Sequence, residues 1–154
     1  ARAGACAPGR REPRHLPETA ARGVMTEEPL VWAAAIAQVL TAAGIAVFWL
    51  TWFREAHAEP WLPAGYVDHE RVFVYPDTIL AGLLVGSATL SVLGEDLGRT
   101  LSLVTAGMLL FLGIIDLAYF AQHRMFLRAR GGVVNAGVVS AVLALSVFLV
   151  VVHH

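Results

Sequence analysis

The sequence predicts an all-α integral membrane protein, an antiparallel four-helix transmembrane bundle with one long ordered loop between helices 1 and 2. Hydrophobic residues make up 57% of the chain and charged residues 15%, and the mean hydropathy is +0.65. A soluble domain of 154 residues has too little interior to bury that much apolar surface. Four windows contain no charged side chain, and a spanning helix needs about 20 apolar residues. The pattern therefore indicates four spans.

The four windows define one transmembrane domain of residues 25–154. The predicted spans cover residues 30–53, 76–94, 100–121 and 131–152. The first and last are long enough as charge-free windows, whereas the second includes Pro76-Asp77 and the third includes Asp116 in order to reach the length of a span. Residues 54–75 contain prolines and several aromatic residues, and we expect them to form an ordered loop that acts as a lid over one end of the bundle.

Residues 1–24 lack apolar periodicity and are rich in Ala, Arg, Gly and Pro. We expect them to be a disordered tail or a spurious extension upstream of a true start at Met25. The first span could also be a signal peptide, because Ala56-His57-Ala58 matches a cleavage site. Its apolar core is far longer than the roughly 7–15 residues of such a peptide, which favours a retained span.

The arginines near the predicted helix ends bear on orientation. Five lie in the first and third connections, namely Arg54, Arg71, Arg124, Arg128 and Arg130. Arg99 alone lies in the second connection. This distribution favours both termini outside an inner (plasma) membrane, with the long loop in the cytoplasm. If the arginines before Met25 are counted, the difference disappears and the orientation is undetermined. In size and number of spans the chain is similar to small four-helix bacterial membrane proteins, such as the DoxX-like group.

The antiparallel topology brings polar and aromatic residues to one face of the membrane. The end of helix 1, the start of helix 2, the end of helix 3 and the start of helix 4 share that face. Candidate residues there for binding a ligand or a proton are Asp116, Asp77, Glu70, His69, His57, His123, Tyr119 and Trp61. We therefore expect an aromatic, acidic mouth on one side of the bundle.

Asp116 is the most informative of these residues, because it lies about 10 Å inside the predicted end of helix 3. An acid at that depth is costly unless it faces the bundle interior or water and has a partner. It is interpreted either as a functional carboxylate or as a structural acid bonded to a neighbouring helix. Asp77 is interpreted either as an acid at the N-terminus of helix 2, where it would stabilise free backbone amides, or as one half of a carboxylate pair with Asp116.

Other chemistries have little support in the sequence. No histidine motif has the spacing of a zinc site, and Cys6 is the only cysteine. The serines of the predicted spans lie in no nucleophile-elbow motif, and no basic patch indicates nucleic acid. We therefore predict no metal, no cofactor and no nucleic-acid partner, and the catalytic residues of any enzymatic activity stay unknown.

Small residues recur at a spacing of four within two predicted helices, and this spacing allows the backbones of transmembrane helices to approach closely. Gly82 and Gly86 form one such pair and Gly137 and Ala141 another. These pairs predict either packing inside the bundle or the face of a homodimer.

Three functions are compatible with these features. The favoured one is a non-enzymatic membrane protein that binds a partner protein or a lipid-like ligand at the mouth, in contact with the lipid bilayer. The second is a proton-coupled transporter component that uses Asp116. The third is a membrane enzyme that acts on an apolar substrate by acid–base chemistry of its carboxylates.

Overall fold

A computed structural model describes residues 18–57, 60, 62–127 and 131–154 of the chain, with side chains described from residue 29 onward. The chain forms four helices: α1 (Glu18–Trp52), α2 (Tyr66–Val92), α3 (Asp96–Gln122) and α4 (Gly132–His153). Each contains a segment that is long and apolar enough to cross a membrane. The predicted fold class, a four-helix transmembrane bundle, is confirmed.

Helix α2 begins ten residues earlier than the predicted span. Residues 66–75, assigned from the sequence to the loop, are its first turns, and Pro76 lies inside the helix. Gly65 adopts a left-handed φ of 80° and its carbonyl accepts the His69 amide at 2.9 Å, which starts the helix. The prediction failed because a proline usually indicates a helix boundary, although its missing N–H removes only one backbone hydrogen bond. The connection from α1 to α2 is therefore shorter than the predicted lid.

At the N-terminus, α1 includes residues 18–24 of the segment that the sequence predicts to be disordered or spurious. Residues 1–17 lie outside the described part of the chain. The membrane-length portion of α1 is Pro29–Trp52.

Consecutive helices pack side by side, and α4 returns to α1 to close the bundle. The core contains large leucines and small alanines, which let the helices approach. Leu84, Leu109 and Leu149 are almost completely buried at its centre. Large apolar side chains such as Phe111 and Val151 are exposed on the outside, where a bilayer would cover them.

A polar seam crosses the core on the side away from the predicted mouth. Gln38 of α1 is fully buried and accepts a hydrogen bond from Ser87 of α2 through its Oε1 atom. Its Nε2 atom donates to Ser102 of α3 at 3.4 Å. Ser146 of α4 donates to the Ala106 carbonyl at 2.8 Å. These bonds connect α1 to α2, α1 to α3, and α4 to α3. They also satisfy polar groups that lipid could not satisfy.

The glycines that permit close approach are not those of the predicted small-residue pairs. A Cβ atom at Gly98 would overlap backbone atoms of α2, and one at Gly113 would come within 2.8 Å of Leu143. In contrast, a Cβ atom at Gly82, Gly86 or Gly137 would meet open space. Packing inside the bundle therefore does not account for these three glycines.

Candidate functional site: an acidic and aromatic mouth

Two acids of α2 face the inside of the bundle. Glu70 and Asp77 are seven residues apart, which is two helical turns, and Leu84 continues the same line a further seven residues along. Leu84 is fully buried in the core, and both acids are half-buried. The helical spacing therefore turns these carboxylates towards the neighbouring helices and away from lipid.

Asp116 lies on the buried side of α3. It follows the buried residues Leu109, Leu112 and Gly113 by seven, four and three positions, which places all four on the same face of the helix. Its carboxylate is half-buried and interacts electrostatically with those of Asp77 and Glu70. No arginine among the described residues forms an ion pair with any of the three acids. The structure therefore places Asp77 and Asp116, which the sequence allows as a carboxylate pair, in electrostatic interaction with each other and with Glu70.

Asp77 is held by a tryptophan of α1. The Trp49 Nε1 atom donates a hydrogen bond of 3.0 Å to Asp77 Oδ2, and Trp49 is only 7% exposed. Asp77 lies eleven residues after the first residue of α2, so its interpretation as an N-terminal helix acid is wrong. The indole links α1 to α2 by its bond to the Asp77 carboxylate, and Trp49 is not one of the predicted site residues.

Trp52 and Tyr66 complete the arrangement near the membrane surface. The Tyr66 hydroxyl lies close to the Glu70 carboxylate and also close to the Trp52 indole. Trp52 is 5% exposed, and its Nε1 atom is buried without a hydrogen-bond partner among the described residues. The Tyr66 hydroxyl lies beside this N–H and interacts with both the indole and the Glu70 carboxylate. We call the group formed by Glu70, Asp77, Asp116, Trp49, Trp52 and Tyr66 the mouth.

His57 lies next to the mouth and has a structural role at the end of α1. Its Nε2 atom is 2.8 Å from the Trp52 carbonyl oxygen, and because that oxygen can only accept, Nε2 carries the proton. The His57 ring packs on the Trp52 ring with centroids 4.4 Å apart. The contact gives a second donor to a carbonyl of the last helical turn, which also accepts the Glu55 amide at 3.2 Å.

His69, Tyr119 and His123 form a ladder of rings between α2 and α3. The His69 and Tyr119 rings stack with centroids 4.0 Å apart and an interplanar angle of 8°. Tyr119 also packs against His123 one turn later, at 4.4 Å. These three predicted site residues stabilise the junction of the two helices that carry the acids.

A cavity of about 320 Å³ opens beside Tyr66, between the α1–α2 connection and the first turn of α2. Leu62, Pro63 and Val67 supply apolar walls, and His57 and Asp68 supply polar ones. Its volume is at the lower end of the range of small-molecule sites, about 300–1,000 Å³. Trp61, the remaining predicted site residue, lies outside the described part of the chain.

The donor set does not match a metal centre. Within the described residues, His, Cys, Asp and Glu side chains do not gather in any group of three that could hold an ion. The mouth combines negative charge with buried aromatic side chains.

Comparison with protein-family models, with curated proteins and with solved structures gives no match for this chain. The four helices are those of a small multi-pass membrane protein.

Proposed function

We propose that this protein is a non-enzymatic membrane protein that binds a lipid-like ligand at the mouth. The observation that carries the proposal is the convergence of Glu70, Asp77 and Asp116 from two helices, beside buried tryptophans and without an ion pair among the described residues. Acids within membrane-spanning segments, such as Asp77 and Asp116, are expensive to keep and commonly indicate a functional site. Lipid-facing aromatic residues at that level suit the boundary between head groups and acyl chains.

The location of the mouth supports an amphiphilic ligand. Helix α2 has 27 residues and is therefore about 40 Å long, whereas the hydrocarbon core of a bilayer is about 30 Å thick. The first turns of α2 thus extend into the head-group region, and Glu70 lies only four residues from the helix start. A ligand there can place a polar group among the acids and leave an apolar chain in the bilayer.

The proposal is tested by identifying what purifies with the protein. Wild type and the Glu70→Gln variant are extracted in a mild neutral detergent, and the bound lipids and proteins are identified by mass spectrometry. We expect one class of amphiphile to be enriched with wild type and reduced at least fivefold with the variant. Glu95→Gln is the matched control, because Glu95 is an exposed acid at the opposite end of the bundle. If all three proteins carry the same lipids, the mouth does not select a ligand.

A proton-coupled transporter component is the second candidate, and the position of Asp116 favours it. Asp116 is half-buried and interacts with another acid instead of facing lipid. Two half-buried carboxylates repel each other, and the repulsion is relieved by a shared proton or by a bound cation. Proteoliposomes loaded with a pH-sensitive dye separate the two functions. Proton flux that is present in wild type and absent in Asp116→Asn supports transport, whereas equal and negligible flux in both supports ligand binding alone.

A further inference from the structure

The first part of α2, residues 66–75, packs differently from the rest of the helix. None of these residues is buried, and Phe73 among them is half-buried against the core. The remainder of α2 contains four buried residues, Leu80, Leu84, Ser87 and Ala88. We call residues 66–75 the arm. Because buried packing holds transmembrane helices together, the arm is held less firmly than the rest of α2.

Pro76 separates the arm from the buried part of α2. Proline has no N–H, so the Val72 carbonyl one turn earlier lacks the backbone hydrogen bond that a helix normally supplies, and the proline ring crowds that carbonyl. The Thr78 hydroxyl donates to the Val74 carbonyl at 2.7 Å, and such a bond to the preceding turn often bends a helix. Two features that favour bending therefore lie next to each other at the end of the arm.

The helix directly after Pro76 is fixed to α1 and to the core. Trp49 is buried and donates a hydrogen bond of 3.0 Å to Asp77. Leu80, three residues further on, is 2% exposed and belongs to the core. The part of α2 that begins at Asp77 therefore cannot move without breaking a hydrogen bond and opening the core.

The arm is attached to its neighbours through aromatic rings in its first turn. The His69 ring stacks on Tyr119 of α3 with centroids 4.0 Å apart. Tyr66 approaches the His57 ring, with centroids 6.3 Å apart, and interacts with the Trp52 indole. Both arm residues are half-buried, so their contacts can separate while the buried core stays closed.

A bend at Pro76 would change the geometry of the mouth. Glu70 and Tyr66 lie on the arm, whereas Asp77 and Trp49 lie on the fixed side of the proline. An arm of ten residues is about 15 Å long. A change of about 20° in the bend therefore moves its first residue by about 5 Å relative to Asp77.

We propose that Pro76 is a hinge and that the arm is a helical gate of the mouth, with the stack of His69 on Tyr119 as its latch. In the closed arrangement the stack holds the arm against α3. In the open arrangement the arm turns away from α3, which moves Glu70 from Asp77 and gives a ligand access from the bilayer. The gating role rests on the proposed ligand-binding function, whereas the hinge itself needs no ligand.

Distances between spin labels, measured by pulsed electron paramagnetic resonance on the full chain in lipid nanodiscs, test the hinge. After Cys6→Ser removes the only native cysteine, Asp68→Cys labels the arm and Val133→Cys labels α4 across the bundle. The pair Val85→Cys and Val147→Cys is the control, because both positions are exposed and lie away from the arm. We expect two distances for the arm pair, about 4 Å apart, with about a tenth of the molecules open. The control pair should give one narrow distance.

Four substitutions separate the hinge from a general loosening of the bundle. Pro76→Ala restores the hydrogen bond to the Val72 carbonyl and should reduce the open fraction about threefold or more. Pro29→Ala changes a proline of α1 and is the matched control, which should leave the fraction unchanged. His69→Ala removes the latch and should raise the open fraction about twofold or more. Arg71→Ala, at an exposed position of the arm, should have no effect.

Three outcomes overturn the inference. The first is a single distance for the arm pair in wild type, as narrow as that of the control pair. The second is an open fraction that Pro76→Ala leaves unchanged. The third is deuterium exchange of the arm amides as fast as in an unstructured peptide, because the arm would then unwind instead of turning as a helix.

The distance measurement uses no added ligand, so its result is independent of the lipid analysis. A hinged arm without a lipid that depends on Glu70 would remove the proposed function and leave the hinge. A rigid arm together with such a lipid would remove the hinge and leave the proposed function.

Discussion

Replacement of Gln38 by methionine would measure how much the buried polar seam contributes to the stability of the bundle. Gln38 accepts a hydrogen bond from Ser87 and donates one of 3.4 Å to Ser102. Each interhelical hydrogen bond in a membrane protein contributes about 0.6 kcal/mol on average and up to about 1.7 kcal/mol. Ser87 keeps a bond of 3.2 Å to the Leu84 carbonyl, and Ser102 keeps Ser91 at 3.4 Å, so neither hydroxyl is left unpaired. We therefore expect Gln38→Met to lower the free energy of unfolding by about 1–2 kcal/mol.

The assay is equilibrium unfolding in mixed micelles, in which the helical signal is followed as sodium dodecyl sulfate replaces a mild detergent. Thr41→Val is the matched control, because the Thr41 hydroxyl bonds the Ala37 carbonyl inside its own helix and joins no second helix. This control should stay within about 0.5 kcal/mol of wild type. If Gln38→Met is as stable as wild type, or if Thr41→Val loses as much, the seam does not hold the helices together.

Further substitutions test the packing and the mouth. Gly98→Ala is expected to cost about 1–3 kcal/mol because its Cβ atom would overlap the backbone of α2, whereas Gly107→Ala in the same helix meets open space and should stabilise by up to about 1 kcal/mol. Arg124 has a left-handed φ of 55°, so Arg124→Gly should stabilise by about 0.5–1 kcal/mol. Trp49→Phe removes the donor to Asp77 and should cost about 1–2 kcal/mol. The same unfolding assay measures all four variants.

Specific results would contradict each of these expectations. Equal stability of the two alanine variants would show that α2 and α3 can move apart at the glycine contact. Destabilisation by Arg124→Gly would show that its side chain contributes more than its backbone geometry costs. For the tryptophan, Trp32→Phe is the comparison, because Trp32 is 50% exposed near the other end of α1. A loss of equal size there would mean that ring volume, and not the bond to Asp77, explains the effect.

The number of helices follows from the sequence because hydropathy alone determines how many segments can cross a bilayer. The start of α2 does not follow in the same way. Glu70, Asp77 and Leu84 are spaced by seven residues, a pattern that would have indicated a continuous helix through Pro76. The proline, together with the polar residues before it, concealed that pattern, and the loop was predicted to be longer than it is.

The mouth could be predicted only in part. The antiparallel topology brings Asp77 and Asp116 to one face, so their proximity could be expected without coordinates. The bond from Trp49 to Asp77 joins residues 28 positions apart and depends on how α1 is rotated against α2. The burial of Gln38 depends on the same rotation. Sequence periodicity is weak for such helices, because both lipid-facing and core-facing positions are apolar.

The state of the Trp52 indole tests the central proposal, a ligand-binding mouth, most directly. Indole N–H signals of ¹⁵N-labelled protein in lipid nanodiscs are recorded during titration with the amphiphile that the lipid analysis finds enriched with wild type, and the Trp52→Phe variant assigns the Trp52 signal. The proposal predicts a saturable shift of the Trp52 N–H signal as a ligand binds beside Tyr66 and Glu70, while the Trp32 signal stays in place. A Trp52 signal that does not move, or that moves only as the Trp32 signal does, would contradict it.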